Sequence, residues 1–286
     1  MTHLIDGVKW ASESRAHTAQ EVQHLIANGI QPMLVVVLVG ENPASLVYVR
    51  GKEKAAVAAG MRSRIDRFPA TITEQELLAH IKLLNADPAI HGILVQLPIP
   101  DHINEQMVIA TISPEKDVDG FHAQNVGALS LGLPGFIPCT PLGVMKMLAY
   151  ENIEVAGKHA VIIGRSNIVG RPMSQLLLQA NATVTICHSH TKTINEIVRQ
   201  ADILVVAIGR PKFVTGEMVR PGAVVIDVGM NRVEGKLYGD VDFDAVAPIV
   251  SAITPVPKGV GPMTIAMLLH NTIQAAKSRL ILAVNP

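Results

Sequence analysis

Short aliphatic runs and longer stretches of mixed polarity alternate along the chain. The runs at 33–39, 91–97, 161–163, 182–187, 201–208 and 222–228 are rich in Val, Ile and Leu. They are too short for helices and too continuously apolar for one-sided sheets, which predicts buried parallel strands. Between them, helices are expected over 13–28, closed by Gly29, over 142–151, over 173–180 and over 263–282, the last with Ile265, Leu268, Leu269, Thr272 and Ile273 on one side. Thr73 with Glu76, and Thr193 with Glu196, have capping-box spacing; the first opens a helix to about Ala86. Strands that alternate with helices in this way predict an α/β fold with a doubly wound parallel sheet.

One junction stands out. The run 161–163 stops at Gly164, and Arg165, Ser166, Asn167, Ile168, Val169, Gly170, Arg171 and Pro172 follow before the helix. A strand, a glycine-bearing turn and a helix start leave backbone N–H groups and the positive end of a helix dipole at one point, suited to a dinucleotide pyrophosphate. Ser166 stands where a second glycine belongs and Gly170 is one residue late for G-x-G-x-x-G. A plain tight turn is the alternative.

A second candidate site comes from the helix after Asn42 and Pro43, residues suited to a cap and a first turn. On a wheel of about 100° per residue, Tyr48, Val49, Lys52, Ala56 and Ala59 fall within about 60° of Ser45, while Arg50 and Lys54 face away. Lys52 thus sits on the inward face. Burying an ammonium is costly without a partner, so Lys52 either snorkels or belongs to a site that also uses Tyr48, one turn earlier. Gln96 interrupts an apolar strand at its carboxyl end, where α/β sheets hold ligands; a satisfied buried amide is the alternative. Asp119, in a turn after Lys116, Asp117 and Val118, can accept from ligand N–H groups. The loop 254–264, with three prolines and two glycines, reads as a hinge or a site wall.

Composition narrows the classes. At 286 residues the chain suffices for two domains, and with 49% hydrophobic but 3% aromatic residues their cores must be aliphatic. Lys plus Arg equals Asp plus Glu at 24 each, which disfavours a nucleic-acid partner. The two cysteines, Cys139 and Cys187, make no disulfide framework; with no apolar leader or run long enough to span a membrane, a cytoplasmic protein with no membrane partner is expected.

These motifs together resemble the bifunctional methylenetetrahydrofolate dehydrogenase/methenyltetrahydrofolate cyclohydrolase family over essentially the whole chain. They are Pro43-Ala44-Ser45 with Tyr48-Val49 and Lys52, Val95-Gln96-Leu97-Pro98, and Lys116-Asp117-Val118-Asp119-Gly120. With them go Gly164-Arg165-Ser166 with Ile168-Val169-Gly170-Arg171-Pro172, and Pro255-Val256-Pro257 with Gly259-Val260-Gly261-Pro262-Met263-Thr264. The resemblance implies two α/β domains: a folate-binding catalytic domain over 1–121, completed by a C-terminal helix over 263–286, and a Rossmann-like NADP-binding domain over 122–262. It implies a homodimer acting on tetrahydrofolate derivatives: NADP-dependent oxidation of 5,10-methylenetetrahydrofolate, then hydrolysis of the methenyl product to 10-formyltetrahydrofolate.

By position, the resemblance makes Lys52, Tyr48, Gln96 and Asp119 catalytic, and adds Val95, Leu97, Pro257, Gly259 and Gly261 to the folate site. It assigns Thr140, Gly164, Arg165, Ser166, Ser189 and Met230 to the cofactor, and no metal. Lys258 stands where the family usually has glycine, and His190 where many members have a basic or variable residue. The residues themselves also favour NADP over NAD, because the segment 187–190 has no acidic residue for a ribose 2′-OH, whereas Arg165 and Ser189 suit a phosphate. A His188/His190 metal site lacks a third ligand at zinc spacing. The rivals are another two-domain NADP dehydrogenase, acting on a hydroxy or keto acid, and a dinucleotide-sensing module.

Overall fold

The structure, a computed structural model, describes residues 2–284. The first half carries β1 (His3–Leu4), α1 (Gly7–Ala27), β2 (Met33–Val39), α2 (Pro43–Ala58), β3 (Arg62–Phe68), α3 (Glu74–Ala86), β4 (Gly92–Val95), α4 (Glu105–Thr111), α5 (Ala123–Leu131) and α6 (Cys139–Tyr150). The second carries β5 (His159–Ile163), α7 (Gly170–Gln179), β6 (Thr183–Cys187), α8 (Ile194–Val198), β7 (Ile203–Val206), β8 (Val224–Asp227), β9 (Asn231–Val233), β10 (Lys236–Tyr238), α9 (Phe243–Val246), β11 (Ala252–Ile253) and α10 (Val260–Val284).

The chain divides into two compact units. One comprises Ser12–Cys139 and the chain from Ile265 onward; the other comprises the chain up to Ala11 and Thr140–Thr264. The divisions thus fall near 11, 139 and 264, where the sequence reading drew them at 121 and 262. Residues 3–4 group with the second unit because β1 pairs with β11.

In the first unit β2 lies between β3 and β4 in a parallel sheet. The chain leaves β2 for one neighbour and then returns to the other, so the sheet reverses direction at β2/β4, the type of switch point where α/β folds bind ligands. The core beneath it is aliphatic, built from Val35, Val37, Leu77, Ile81, Ile93 and Val108. In the second unit six parallel strands run in the order β1-β11-β8-β7-β5-β6, and β5 lies between β6 and β7. Its switch point is therefore at β5. Val161, Ile163, Leu204, Val206 and Val225 fill the core on one face.

Several elements differ from the sequence expectation for identifiable reasons. Helix α1 begins at Gly7, not 13, because the Asp6 carboxylate accepts from Val8 N (2.9 Å) and Lys9 N (3.1 Å) and caps it. Thr73 and Glu76 do form the capping box, but Thr193 does not. Its backbone is left-handed (φ 50°), the side chain makes no cap, and α8 is only five residues long. Strand β3, Arg-Ser-Arg-Ile-Asp-Arg-Phe, was not anticipated: its charges suit the exposed side of an edge strand and mask the strand signal. Helix α6 starts at Cys139, and α7 at Gly170, earlier than the positions expected after Pro141 and Pro172. Helix α10 is buried on more than one side, since Ala266, Met267, Asn271 and Ala275 are buried beside the apolar stripe.

Candidate functional site

The first unit's polar cluster starts with α2. Asn42 Oδ1 accepts from Ser45 N at 3.3 Å, so the helix starts where the Asn-Pro pair indicates. The wheel then takes effect: Ser45, Val49, Lys52, Ala56 and Ala59 are buried and Arg50 and Lys54 exposed, while Tyr48 is 38% exposed at the edge of that face. Lys52 is 9% exposed, and its Nζ donates to Gln96 Oε1 at 3.0 Å. Gln96 is the first residue after β4. Its N–H still bonds Val37 O (2.9 Å), which fixes its backbone to the sheet, and its Nε2 donates to Leu97 O (2.7 Å), which fixes the amide's orientation. The carbonyl oxygen therefore faces the ammonium, and the snorkelling alternative does not describe Lys52.

The segment Lys116–Gly120 runs beside β4, with a parallel bridge between Ile93 and Asp117. Each residue has a separate task. Lys116, 1% exposed, donates to Leu84 O (3.0 Å), Asn85 O (2.7 Å) and Asp87 O (2.7 Å) at the carboxyl end of α3, a favourable place for a cation. Asp117 accepts from His122 N (2.8 Å) and Asn125 Nδ2 (2.9 Å), anchoring the start of α5. Gly120 has φ +74°, and a Cβ there would lie 2.7 Å from Pro138 N, so only glycine fits. Asp119 is half-buried. Burial raises its pKa to about 6, against the opposing pull of the Lys52 charge, with the Asp117 charge adding to the rise and the Cys139 thiol resisting it. A small cavity beside it is lined by Val95, Leu97, Val108, Ile112 and Phe121. Lys52, Gln96 and Asp119 thus share one locality, with Val95 and Leu97 flanking Gln96.

The second unit's candidate residues lie at the carboxyl ends of its central strands. Gly164 follows β5 with φ +122°, and a Cβ on it would lie 2.3 Å from Ala207 O; one on Gly170 would lie 2.2 Å from Gly164 O. This turn has no room for side chains. Ser166 Oγ accepts from Val169 N (3.2 Å) and Gly170 N (3.4 Å), so the serine in the second glycine position orders the turn and brings the start of α7 forward to Gly170. In the β5/β6 ladder Ile163 pairs with Cys187 and Gly164 N bonds Cys187 O at 2.9 Å. Arg165 and Ser189, each two residues beyond that pair, are both exposed. His190 N donates to His188 Nδ1 at 3.2 Å, which orders the same loop. Among the described residues no group of His, Cys, Asp or Glu is arranged to hold a metal.

Thr140 Oγ1 is 2.9 Å from Thr264 Oγ1. Met230 is 41% exposed, and its Cε lies 3.1 Å from where a Gly261 Cβ would stand. A Cβ on Gly259 would lie 2.4 Å from Pro255 O, so the loop with Pro257 is closely folded, and Lys258 takes a left-handed φ of 86°.

The sequence reading passed over two buried acids here. Asp240, fully buried, accepts from Ile208 N (2.7 Å), Gly209 N (3.0 Å), Arg210 N (2.8 Å) and Asn231 Nδ2 (2.9 Å). Asp227 accepts from Gly229 N, Asp240 N and Val241 N, each at 2.9 Å; burial nevertheless raises its pKa to about 7. Together they set the loops after β7 and β8. The signal was an acid at the end of an apolar strand next to glycines: Gly229 and Gly239 have no room for a Cβ against these carboxylates.

A profile of the tetrahydrofolate dehydrogenase/cyclohydrolase catalytic domain matches residues 5–119, and one of the same family's NAD(P)-binding domain matches residues 138–280. The bifunctional protein FolD of Geobacillus thermodenitrificans is 60% identical over 275 residues, covering 96% of this chain and 97% of that protein. The crystal structure of the bifunctional FolD methylenetetrahydrofolate dehydrogenase/cyclohydrolase from Campylobacter jejuni superposes with a TM-score of 0.96 at 52% identity, covering 98% of this chain and all of that one. The Trypanosoma brucei enzyme, solved with NADP and an inhibitor, gives a TM-score of 0.94 at 40% identity, with 98% of each chain covered. With both profiles spanning most of the chain and relatives well above half identical, the chain belongs to the tetrahydrofolate dehydrogenase/cyclohydrolase family.

Proposed function

We propose that this chain oxidises 5,10-methylenetetrahydrofolate with NADP and hydrolyses the 5,10-methenyl product to 10-formyltetrahydrofolate, with Lys52 managing the protons of the second step. The observation that carries the assignment is the buried Lys52–Gln96 pair, 3.0 Å apart at the first unit's switch point, with Asp119 beside it. Asp119, when ionised, offers two acceptor oxygens to the N–H edge of a pterin. Tyr48, one helical turn before Lys52, presents a ring for stacking. Val95 and Leu97 flank the amide, and the family resemblance adds Pro257, Gly259 and Gly261 to the residues that bind folate.

Bound NADP supplies the hydride acceptor. The turn of Gly164 and Ser166 fits its pyrophosphate, being a cradle that any added Cβ would fill. Arg165 and Ser189 fit the 2′-phosphate, and the family resemblance adds Thr140 and Met230 to the cofactor-binding residues. Hydride loss leaves a cationic methenyl carbon and needs no proton transfer, so in that step the chain's work is positioning. Water addition releases a proton and ring opening requires one at the departing nitrogen. Lys52 Nζ, oriented by Gln96 Oε1, is the group that moves it.

The two buried free cysteines support a reducing, cytoplasmic setting, and the family resemblance supports a homodimer. No helix among the described residues is long and apolar enough to cross a membrane. Purified protein mixed with methylenetetrahydrofolate and NADP is expected to show methenyl absorbance that then decays to the formyl product. Cofactor binding with no turnover would contradict this and favour the sensing module.

A further inference from the structure

The proposed reaction makes no use of Asp227 and Asp240, and two buried acids are unfavourable company for an anionic cofactor. What they hold accounts for their place. Asp240 Oδ2 accepts from Ile208 N and Gly209 N, and its Oδ1 from Arg210 N, three consecutive donors in the loop after β7. The residue before them, Ala207, donates through its N–H to Ile163 O at 2.8 Å, and its carbonyl is the group that a Gly164 Cβ would strike. In the strand order β8-β7-β5-β6 the loops after β5 and β7 flank the switch point, where a dinucleotide lies. Asp240 therefore pins the wall that faces the Gly164 turn across that crevice.

The same acid reaches the loop after β8. Its Oδ1 also accepts from Asn231 Nδ2 at 2.9 Å, an amide nitrogen that donates to Tyr238 O as well, at 3.3 Å. On the other side of Met230, Gly229 N donates to Asp227 Oδ1 at 2.9 Å, and a Cβ on Gly229 would lie 2.2 Å from Asp240 Cγ. Asp227 Oδ1 also accepts from Asp240 N at 2.9 Å, which locks the two acids together. Both neighbours of Met230, a residue that the family resemblance gives to the cofactor, are thus fixed by the pair.

We infer that Asp240, backed by Asp227, is a positioning residue for the cofactor, holding the loop after β7 and Met230 in the shape that receives the nicotinamide half of NADP. The inference rests on the reading of the second unit as the NADP site. In that reading Arg165 and Ser189, beyond β5 and β6, take the 2′-phosphate end and the Gly164 turn takes the pyrophosphate, so the other half of the cofactor falls on the side of β7 and β8. Asp240 acts only through the backbone it holds, since its two oxygens already accept four N–H groups.

Charge and position predict opposite signs for one substitution. Neutralising a carboxylate near bound phosphates would, by charge alone, tighten binding. In Asp240→Asn, however, either orientation of the amide turns an NH2 group toward two N–H donors, Ile208 with Gly209 or Arg210 with Asn231, and that half of the network is lost.

The test is calorimetric titration of NADP and, separately, NAD into the full-length protein, which reads affinity apart from the fraction of competent sites. Asp240→Asn should weaken NADP binding by roughly 10- to 100-fold, as for lost hydrogen bonds to a charged group, and NAD binding by the same factor. Asn231→Ala, which removes one of the four donors, should weaken both by roughly 3- to 10-fold, and it decides the matter if Asp240→Asn does not fold. A purely structural role would reduce the number of competent sites and leave their affinity unchanged. Parent or tighter affinity for NADP in a folded variant overturns the inference, as does a loss confined to NADP, which would make Asp240 part of the 2′-phosphate site. A parent protein that binds neither dinucleotide overturns the reading beneath it instead.

Discussion

Two buried lysines in the same unit invite comparison. Lys116 is 1% exposed and spends its ammonium on three backbone carbonyls at the end of α3. Lys52 is 9% exposed and, among the described residues, makes one hydrogen bond, to a side chain that is itself held by the backbone. Both escape the penalty for an unpaired buried charge, but only Lys52 keeps donor capacity in reserve beside a switch point. The second unit repeats the contrast: Asp240 is saturated by four N–H donors, whereas Arg165 and Ser189 stand exposed beyond their strands. Burial alone does not mark a functional group; unspent hydrogen-bonding capacity beside a switch point does.

The contrast can be broken by substitution. Replacing Lys116 with Met leaves three carbonyls without their donor, at ~1–3 kcal/mol apiece, so a loss of at least about 3 kcal/mol in urea unfolding is expected. The folded fraction should keep its kinetic constants; a stable but inactive Lys116→Met protein would erase the distinction. Gln96→Leu should lower methenyl hydrolysis by roughly 10- to 100-fold, the value of one hydrogen bond to a charged group, and alter stability far less than Lys116→Met. Equal losses of stability in the two variants would show that both lysines are structural. Arg165→Ala should cut the ratio of kcat/KM for NADP over NAD by about 10-fold or more while leaving folate KM unchanged. An unchanged ratio would place the 2′-phosphate elsewhere.

The smallest effect is a pair of opposed pH slopes from Asp119. Its folded pKa of about 6 lies above its ordinary 3.8, so between these values the folded protein holds a proton that the unfolded chain releases. Stability should therefore fall as pH rises through this window, by the linkage sign for a raised carboxylate pKa. Folate affinity should rise over the same window as the carboxylate becomes available. Asp119→Asn should flatten both, as read by denaturation and by folate titration; parallel slopes in the parent would contradict the assignment.

The legible parts of this protein are those in which local pattern and tertiary demand agree. The Lys52 face of α2 could be read because Ser45, Val49, Ala56 and Ala59 share its helical phase, and the strand cores because their aliphatic runs are uninterrupted. Thr193 misled because a capping box is only a spacing, and a left-handed backbone turns the hydroxyl away from its target. Strand β3 was hidden by its own charges, and β1 by being two residues long and dependent on a partner some 250 residues away. Asn271 was silent because its partners are backbone carbonyls of distant segments, and Asp227 and Asp240 showed only their neighbouring glycines, since the N–H groups they hold follow no periodicity. Position in the site was legible, but support for it was not.

Everything turns on whether the spare capacity of Lys52 is catalytic. The most direct measurement is a paired assay on a single preparation of Lys52→Met, reading methylene oxidation and methenyl hydrolysis, with circular dichroism to verify the fold. The account predicts that hydrolysis falls by at least roughly 10²-fold, as on removal of a general acid or base, while oxidation and the binding of both ligands persist. Hydrolysis at the parent rate would contradict it and make Lys52, like Lys116, part of the frame.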